Sequence, residues 1–311
     1  MRVLTVTNMY PSAEEPQFGL FVQQQVEDLR ELGVRVEVLR FDARQSRLRY
    51  LRAALDISRL VGHGDFDLVH AHYGLCGAAA LAQRSVPVVT TFHGSDFSGA
   101  IPWQSYVSWI AARLSVPIFV SAEGPKLLRV SAPVIPSGVD VDMFRPIDRE
   151  RARRELGWRA NARYVLFPSK PSLRVKRADL FDRAVATAAS REPAIRSVYL
   201  EGHSREQVAL VMNAVDVVML TSDREGSPVT VREALACTTP VVSVPVGDVP
   251  RVLAKLPGCR IVPRDPLALA DAVIEALAAG RSPELRRRAE LTSRRRTAER
   301  VMQVYEDTVR P

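Results

Sequence analysis

The stretch VDVVMLTSDREGSPVTVREALACTTPVVSVPVG, residues 215–247, contains a complete strand, loop, helix and strand. The first apolar run, VDVVMLTSD, predicts a buried strand, and the alanine-rich run after the proline predicts a helix. The segment PVVSVPVG then predicts a second strand. Strands that alternate with helices at this spacing indicate a parallel sheet covered by helices on both faces.

The same alternation extends in both directions along the 311 residues. In the first half it predicts strands at VLTVTN, RVEVLRF, DLVHAH, VPVVTTFHG, VPIFVSA and APVIPSG, and helices at LFVQQQVEDLRELG, CGAAALAQR and WQSYVSWIAARLS. It restarts at ARYVLFPS after a polar junction that contains proline. We therefore predict an α/β protein of two Rossmann-like domains, residues 1–147 and 148–311, whose parallel sheets face each other across a cleft. The last helix is free to pack back on the first domain.

Composition and cysteine usage narrow the class of protein. The apolar fraction of 47% and the charged fraction of 25% are ordinary for a globular protein. No apolar run approaches the roughly 18 residues of a membrane span, and the N-terminus does not resemble a signal peptide. Cys76, Cys237 and Cys259 are scattered, which favours buried thiols over a disulfide framework or a zinc site. These features predict a cytoplasmic protein.

The positive charge is concentrated in the second half. Residues 1–148 hold 14 basic and 15 acidic side chains, and the remaining 29 and 20 lie in 149–311, so the net charge of +8 arises from −1 and +9. The run RRRAELTSRRR has no interleaved aromatic residues for base stacking, and we interpret it as a solvated helix face that does not bind nucleic acid. A basic second half suits a ligand that carries phosphates.

The loop after the first strand argues against hydride chemistry. A dinucleotide-binding dehydrogenase has a GxGxxG turn at this point, whereas TNMYPSAEEPQFGLF contains the single glycine Gly19. A glycine before a helix still allows backbone N–H groups to approach a phosphate closely.

The segment SDREGSPVTVRE, residues 222–233, places a cluster of ligand-binding groups at a carboxyl end of the predicted sheet, where open α/β sheets bind ligands. Glu225 falls in the loop, and Ser227 and Pro228 predict a helix start with serine as the N-cap and proline in the first turn. Free N–H groups of that turn suit an anion. Glu233 follows roughly 7.5 Å further along the helix axis. Two carboxylates around an anion site fit the hydroxyls, diphosphate and ribose of a nucleotide sugar.

At this point EGSPVTVRE resembles the Glu-x7-Glu element of retaining glycosyltransferases that have the GT-B fold, of the family 4 type. Other matching segments occur in the same order along nearly the whole chain: MYPSAEEPQFGLFVQQQVEDLRELG, VHAHYG, TFHGSD, IPSGVDVDMFRP and TTPVVSVPVGDVPRVL. The resemblance implies a first domain for the acceptor and a second domain for the nucleotide-sugar donor.

The resemblance also implies roles for individual residues. Glu225 would hold donor-sugar hydroxyls, and Glu233 would hold the ribose. His93 would face the sugar and support charge at the anomeric centre, whereas we interpret His70 and His72 as structural. The remaining donor contacts would come from Gly19 and from the backbone of Gly226, Ser227, Pro228 and Val229.

A second phosphate-binding loop is predicted at FPSKPSLRVK. The chain has only four lysines against 39 arginines, and Lys170 and Lys176 both fall in this loop after a predicted strand. Cationic groups of this kind can neutralise a leaving diphosphate where other transferases use a metal. The family usually has Gly-Arg where this chain has Ser169 and Lys170, and Lys176 matches the family lysine.

The expected reaction is metal-independent transfer of a hexose-type sugar from a nucleoside diphosphate, with UDP favoured by the family, to an acceptor hydroxyl. The anomeric configuration is retained, and no cofactor or metal is required. Two alternatives stay open: a nucleotide-sugar epimerase of the same fold, and a non-catalytic accessory subunit of a glycosyltransferase.

The acceptor is not identified by the sequence. The loops at 40–50 and 98–109 carry arginines at 44, 47 and 49 and apolar residues near Ile101, Trp103 and Tyr106. This pattern suits a lipid-linked or amphipathic acceptor and peripheral association with the inner membrane surface. It equally suits a surface helix with a buried face. Natural-product, cell-wall and exopolysaccharide acceptors stay open, as does the oligomeric state.

Overall fold

A computed structural model describes residues 1–44, 46–97 and 102–310 of the chain. Part of the predicted acceptor loop at 98–109, Ile101 included, lies outside these described residues. The chain divides into two compact units, of which the first comprises Met1–Gly138 and Arg294–Pro311 and the second comprises Val139–Ser293. Helices and strands are numbered below in chain order.

The first unit is built on a parallel sheet. Its strands are β1 (Arg2–Thr7), β2 (Arg35–Arg40), β3 (Leu68–His72), β4 (Val88–Phe92) and β5 (Val116–Phe119). They lie in the order β2-β1-β3-β4-β5, and every pairing is parallel. All residues of β3 and β4 are buried, as expected for central strands that are covered on both faces.

Six helices accompany this sheet within the part of the unit that the structure describes. They are α1 (Leu20–Glu31), α2 (Leu48–His63), α3 (Gly74–Ala80), α4 (Pro102–Leu114), α5 (Glu123–Leu128) and α13 (Arg294–Val309). Helix α1 packs against α13, and α3 packs against both α2 and α4. Within the described residues, no helix combines the length and the apolar character that a membrane crossing requires.

The second unit repeats the architecture. Its strands are β6 (Arg163–Phe167), β7 (Ile195–Tyr199), β8 (Val217–Leu220), β9 (Val241–Ser243) and β10 (Arg260–Ile261), in the parallel order β10-β9-β8-β6-β7. Its helices are α6 (Arg149–Glu155), α7 (Ala178–Arg191), α8 (Arg205–Ala214), α9 (Val229–Ala236), α10 (Val249–Leu253), α11 (Pro266–Ala279) and α12 (Pro283–Glu290). The predicted α/β class with two Rossmann-like units is confirmed.

The boundaries of the units differ from the single boundary placed at 147/148 by the sequence. The units divide at Gly138 and again at Ser293. Val139 and Phe144 are fully buried in the core of the second unit, and the Ile147 amide donates a hydrogen bond to Asn213 at 2.8 Å. The junction therefore packs as part of the second unit, whereas α13 buries Tyr305 in the core of the first.

Two local predictions were incomplete. Helix α2 was not predicted from the sequence, although it is amphipathic, with Ala53, Ile57 and Val61 buried and its arginines exposed. The segment APVIPSG was predicted as a strand but forms only an isolated bridge between Val134 and Phe119. Pro133 and Pro136 flank this bridge, and each lacks the N–H group that a longer ladder requires.

Candidate active site

The loop between β8 and α9 brings two of the predicted site residues together. The Lys176 ammonium group donates a hydrogen bond to Glu225 Oε1 at 2.6 Å. Both side chains are mostly shielded from solvent, with 26% and 11% of their surface exposed. Lys176 ends a short 3₁₀ turn, Arg174–Lys176, and the Thr221 hydroxyl donates to its carbonyl at 2.9 Å. The two predicted donor loops thus form one charged cluster within the second unit.

Ser169 and Lys170 also follow the carboxyl end of β6, but they lie outside this pair. Lys170 is exposed and Ser169 is half-buried. The Lys170 carbonyl accepts a hydrogen bond from the Leu173 amide at 3.2 Å, which begins the turn that carries Lys176. The structure therefore connects Lys176, and not Lys170, directly to Glu225.

The start of α9 differs in detail from the prediction. Pro228 is the N-cap residue, with φ −66° and ψ 116°, and the helix begins at Val229. Ser227 does not cap the helix. Its hydroxyl donates to Asp248 Oδ2 at 3.1 Å, because Pro228 holds an extended ψ that turns the preceding residue away from the helix. The first turn of α9 still follows the Glu225 loop; its Val231 amide donates to the Pro228 carbonyl at 3.3 Å, whereas the first amides of a helix have no partner within it.

A buried ion pair packs next to the loop between β8 and α9. Arg232 and Asp248 are both almost completely buried and are hydrogen-bonded to each other. The Asp248 amide also donates to the Gly226 carbonyl at 3.1 Å. Gly247 permits this close approach, since it has φ 52° and a β-carbon there would lie 2.5 Å from the Gly226 oxygen. Sequence reasoning missed Asp248 and Gly247, although both lie in the segment PVGDVP.

Glu233 is fully buried in α9 with one carboxylate oxygen unsatisfied. Its Oε1 accepts a hydrogen bond from the Arg205 guanidinium, whereas its Oε2 has no partner among the described residues. Burial raises the pKa of the Glu233 carboxyl above its usual value, and the neighbouring Arg205 charge opposes this shift. A buried acceptor without a partner is costly unless a ligand supplies a donor.

Arg205 is a site residue that the sequence did not reveal. It begins α8, beyond the carboxyl end of β7, and its guanidinium stacks 4.8 Å above the Phe144 ring. Its Nε, like Nδ1 of His203, is buried without a hydrogen-bond partner among the described residues. The only available signal was the position of EGHSRE after a predicted strand.

In the first unit, His93 follows β4 and lies beside two aromatic rings. Its Nε2 is 3.1 Å from His72 Nδ1, and its ring centroid is 4.8 Å from that of Phe21. Burial lowers the pKa of His93 to about 3, so its imidazole is neutral near pH 7. The buried Asp96 carboxylate fixes the turn by accepting backbone N–H bonds from His93, Gly94 and Gly74.

His70 and His72 extend this group of rings into the interior. His70 Nδ1 is 2.6 Å from the Tyr305 hydroxyl of α13, and its Nε2 is 2.7 Å from Thr91 Oγ1. The His70 and His72 ring centroids are 4.3 Å apart. Burial lowers the pKa of His70 to about 3 and that of His72 well below its usual value. His70 is held between Tyr305 and Thr91, whereas His72 contacts His93, and the structural role of both residues stays a prediction.

This burial predicts a pH-dependent stability difference. Because the folded-state pKa of His70 is below the unfolded value of about 6.5, only the unfolded chain takes up this proton as the pH falls. The stability that neutral His70 contributes is present above pH 6.5 and is lost on acidification. His70→Asn has no imidazole to protonate and therefore lacks this pH dependence. We expect the difference in free energy of unfolding between wild type and variant to narrow by about 2 kcal/mol from pH 7 to pH 5. Urea unfolding at both pH values measures the gap.

The control is His63→Asn, which changes an exposed histidine and should leave the gap to wild type nearly constant. A His70→Asn gap that does not change with pH would show that His70 is not held neutral in the folded protein.

Gly19 is placed where its missing side chain matters. It is the N-cap residue of α1 with φ 72°, and a β-carbon would lie 2.3 Å from the Met9 carbonyl carbon. The loop after β1 therefore approaches the start of α1 within a distance that only glycine allows.

A matched pair of glycines tests this requirement. Gly33 also has a left-handed backbone, with φ 86°, but its β-carbon would meet nothing within 4 Å. Both Gly19→Ala and Gly33→Ala place an alanine in a strained left-handed backbone conformation. Only Gly19→Ala also brings a β-carbon into a clash, with the Met9 carbonyl group. We expect Gly19→Ala to destabilise the first unit by about 1–3 kcal/mol more than Gly33→Ala in urea unfolding. Equal losses would mean that the loop after β1 relaxes freely.

The chain matches two models of glycosyltransferase domains. Residues 1–120 match the glycosyl transferase 4-like domain, and residues 162–279 match glycosyl transferases group 1. Among curated proteins, the chain is 25% identical to a glycosyltransferase assigned to teichuronic acid biosynthesis in Bacillus subtilis, over 88% of each chain. It is 30% identical to a D-inositol 3-phosphate glycosyltransferase of Catenulispora acidiphila, over 69% of this chain and 64% of that protein.

Solved structures show the same fold at low identity. Sucrose-phosphate synthase from Thermosynechococcus elongatus is similar with a TM-score of 0.84 and 16% identity, over 99% of each chain. HepE of Anabaena, solved in complex with UDP, is similar with a TM-score of 0.73 and 16% identity, over 99% of this chain and 100% of that one.

The two units thus define a GT-B glycosyltransferase fold. The chain belongs to the glycosyl transferases group 1 family, of the family 4 type, as the ordered motifs predicted.

Proposed function

We propose that this chain transfers a sugar from a nucleoside diphosphate, with UDP as the favoured base, to an acceptor hydroxyl with retention of the anomeric configuration and without a metal. The observation that carries the proposal is the Lys176–Glu225 pair at 2.6 Å in front of α9. A cation, a carboxylate and a helix start in one cluster suit a phosphate beside a sugar. Complexes of the similar Anabaena protein with UDP and with UDP-glucose support the choice of donor.

The second unit supplies the donor contacts in this proposal. Glu233 Oε2 is buried without a partner among the described residues. In this proposal it accepts a hydrogen bond from a ribose hydroxyl, while Arg205 donates to Oε1. The backbone of Gly226 to Val229 binds the diphosphate and sugar, and Ser169 and Lys170 contribute from the loop after β6. Binding the nucleotide would therefore satisfy polar atoms that the protein alone leaves unpaired.

The chemical step follows from the same groups. The bond between the anomeric carbon and the phosphate oxygen breaks through a transition state with oxocarbenium character. The acceptor oxygen forms its bond on the same face, and its proton passes to the departing phosphate oxygen. Lys176 neutralises the charge that develops on the diphosphate, and Glu225 holds the sugar hydroxyls. Burial lowers the pKa of His93 to about 3, so its imidazole is neutral. In this proposal it faces the anomeric centre and adds no positive charge there.

The experiment measures release of nucleoside diphosphate from UDP-, GDP-, ADP- and TDP-sugars in EDTA, with a panel of hydroxyl acceptors that includes inositol phosphates and simple glycosides. Proton NMR of the product gives the anomeric configuration. We expect turnover in EDTA, with product and donor of the same configuration. Turnover only after Mg²⁺ or Mn²⁺ is added would refute metal independence, and an inverted product would refute retention.

A further inference from the structure

Exposed apolar side chains are concentrated on two helices of the first unit. On α2, Leu48, Leu51 and Leu55 are 71%, 66% and 60% exposed. On α4, the exposed apolar residues include three aromatic rings: Trp103, Tyr106 and Trp109. Large apolar side chains scattered singly over a surface are ordinary, but a group of them marks an interaction site.

Helix α2 is amphipathic, but leucines lie among the arginines of its outer face. Ala53, Ile57 and Val61 are buried against the first unit, as the inner face of a surface helix requires. The outer face of such a helix is normally polar. Here Leu48, Leu51 and Leu55 recur at i, i+3 and i+7, so they form one stripe that points away from the buried face.

The two helices form one surface. The Arg47 guanidinium at the start of α2 lies 4.5 Å above the Trp103 ring of α4, and α3 packs against both helices. On α4, the Tyr106 and Trp109 rings are stacked at 5.9 Å. We call the residues Leu48, Leu51, Leu55, Trp103, Tyr106 and Trp109 the outer apolar face.

Arginines surround the outer apolar face. Residues 47–63 and 102–114 contain Arg47, Arg49, Arg52, Arg59 and Arg113, and their only acidic residue is Asp56. The first half of the chain carries a net charge of −1 by the count above, so this excess is local. Apolar side chains bordered by arginines complement a surface that is apolar inside and negatively charged at its boundary.

We propose that the outer apolar face docks on an anionic lipid surface. The leucines enter the acyl boundary, the Trp and Tyr rings occupy the headgroup region, and the arginines contact lipid phosphates. The local positive charge favours lipid over a second copy of this chain, which would present the same arginines to each other. The inference does not depend on the proposed reaction, because binding to lipid is measured without a substrate.

The test is co-sedimentation of the full chain with sucrose-loaded vesicles of phosphatidylcholine alone or with 30% phosphatidylglycerol. Leu51→Glu is compared with Leu267→Glu, which changes a leucine of the second unit with 56% exposure. Arg52→Glu is compared with Arg154→Glu on α6. We expect binding only to the anionic vesicles, about tenfold weaker partitioning for Leu51→Glu, weaker partitioning for Arg52→Glu and in high salt, and no effect of either control.

Far-UV circular dichroism and the thermal midpoint show that each variant is folded. Absence of binding to anionic vesicles, or equal binding by Leu51→Glu and Leu267→Glu, would overturn the proposal. Light scattering that shows a wild-type dimer lost in Leu51→Glu, with no vesicle binding, would assign the face to a copy–copy interface instead and would also overturn it.

Discussion

Replacing Lys176 by alanine is expected to lower kcat/KM for the nucleotide-sugar donor by about 10²–10³-fold, because the departing diphosphate loses its partly buried cation. The same change leaves Glu225 without its 2.6 Å partner in a mostly shielded loop. Most of the loss should appear in kcat, since charge on the diphosphate grows as the bond breaks. Steady-state release of nucleoside diphosphate measures both constants.

Two lysines serve as comparisons for Lys176. Lys170→Ala removes an exposed lysine of the same loop, and its effect should be much smaller. Lys126→Ala removes an exposed lysine of α5 and should have no effect. If Lys176→Ala keeps wild-type kcat, the cation in front of α9 does not assist departure of the diphosphate.

The second large effect concerns the buried pair in α8 and α9. Arg205→Met leaves the Glu233 carboxylate buried without a cation, and we expect the free energy of unfolding of the second unit to fall by about 3–5 kcal/mol at pH 7. The pKa of Glu233 is already raised by burial, and it rises further without Arg205. The deficit should therefore shrink as the pH falls and Glu233 becomes protonated. Urea unfolding at pH 7 and pH 5 measures this.

A double variant separates stability from ligand binding. Arg205→Met with Glu233→Leu removes both charges, so much of the stability lost in Arg205→Met should return. Affinity for the nucleotide should not return, because the ribose contact is gone. If the double variant is no more stable than Arg205→Met, the pair is not electrostatically coupled, and if it binds nucleotide like wild type, Glu233 is not a ribose ligand.

Much of the fold was predictable because its signals are local in sequence. These signals are the spacing of apolar residues and the glycines and prolines that end helices and strands. A short run rich in valine, such as VDVVML, favours a buried strand, and Gly33 follows the end of α1 with a left-handed φ of 86°. Helix α2 was not predicted, and its outer face is unusual for a surface helix. Leu48, Leu51 and Leu55 are exposed among its arginines, on the side where a surface helix is normally polar.

The residues of the candidate site that were predicted lie in short loop segments. Glu225 and Lys176 fall in loops at carboxyl ends of strands, and the topology brings neighbouring strands β8 and β6 side by side. Arg205 was missed because its pairing with Glu233 spans 28 residues, and no local pattern encodes such a pair. Likewise, the hydrogen bond between His70 and Tyr305 spans 235 residues and depends on the return of α13 to the first unit.

The most direct test of a nucleotide-sugar donor site in the second unit is a thermal-shift assay with UDP, GDP, ADP and TDP in EDTA, on wild type and Glu233→Ala. A diphosphate in about hundredfold excess over its Kd should stabilise the fold by about 2.7 kcal/mol. We expect a raised thermal midpoint with one of these nucleotides, UDP first, and a clearly smaller rise in Glu233→Ala. Wild-type protein that is folded but not stabilised by any of the four nucleotides would contradict this expectation.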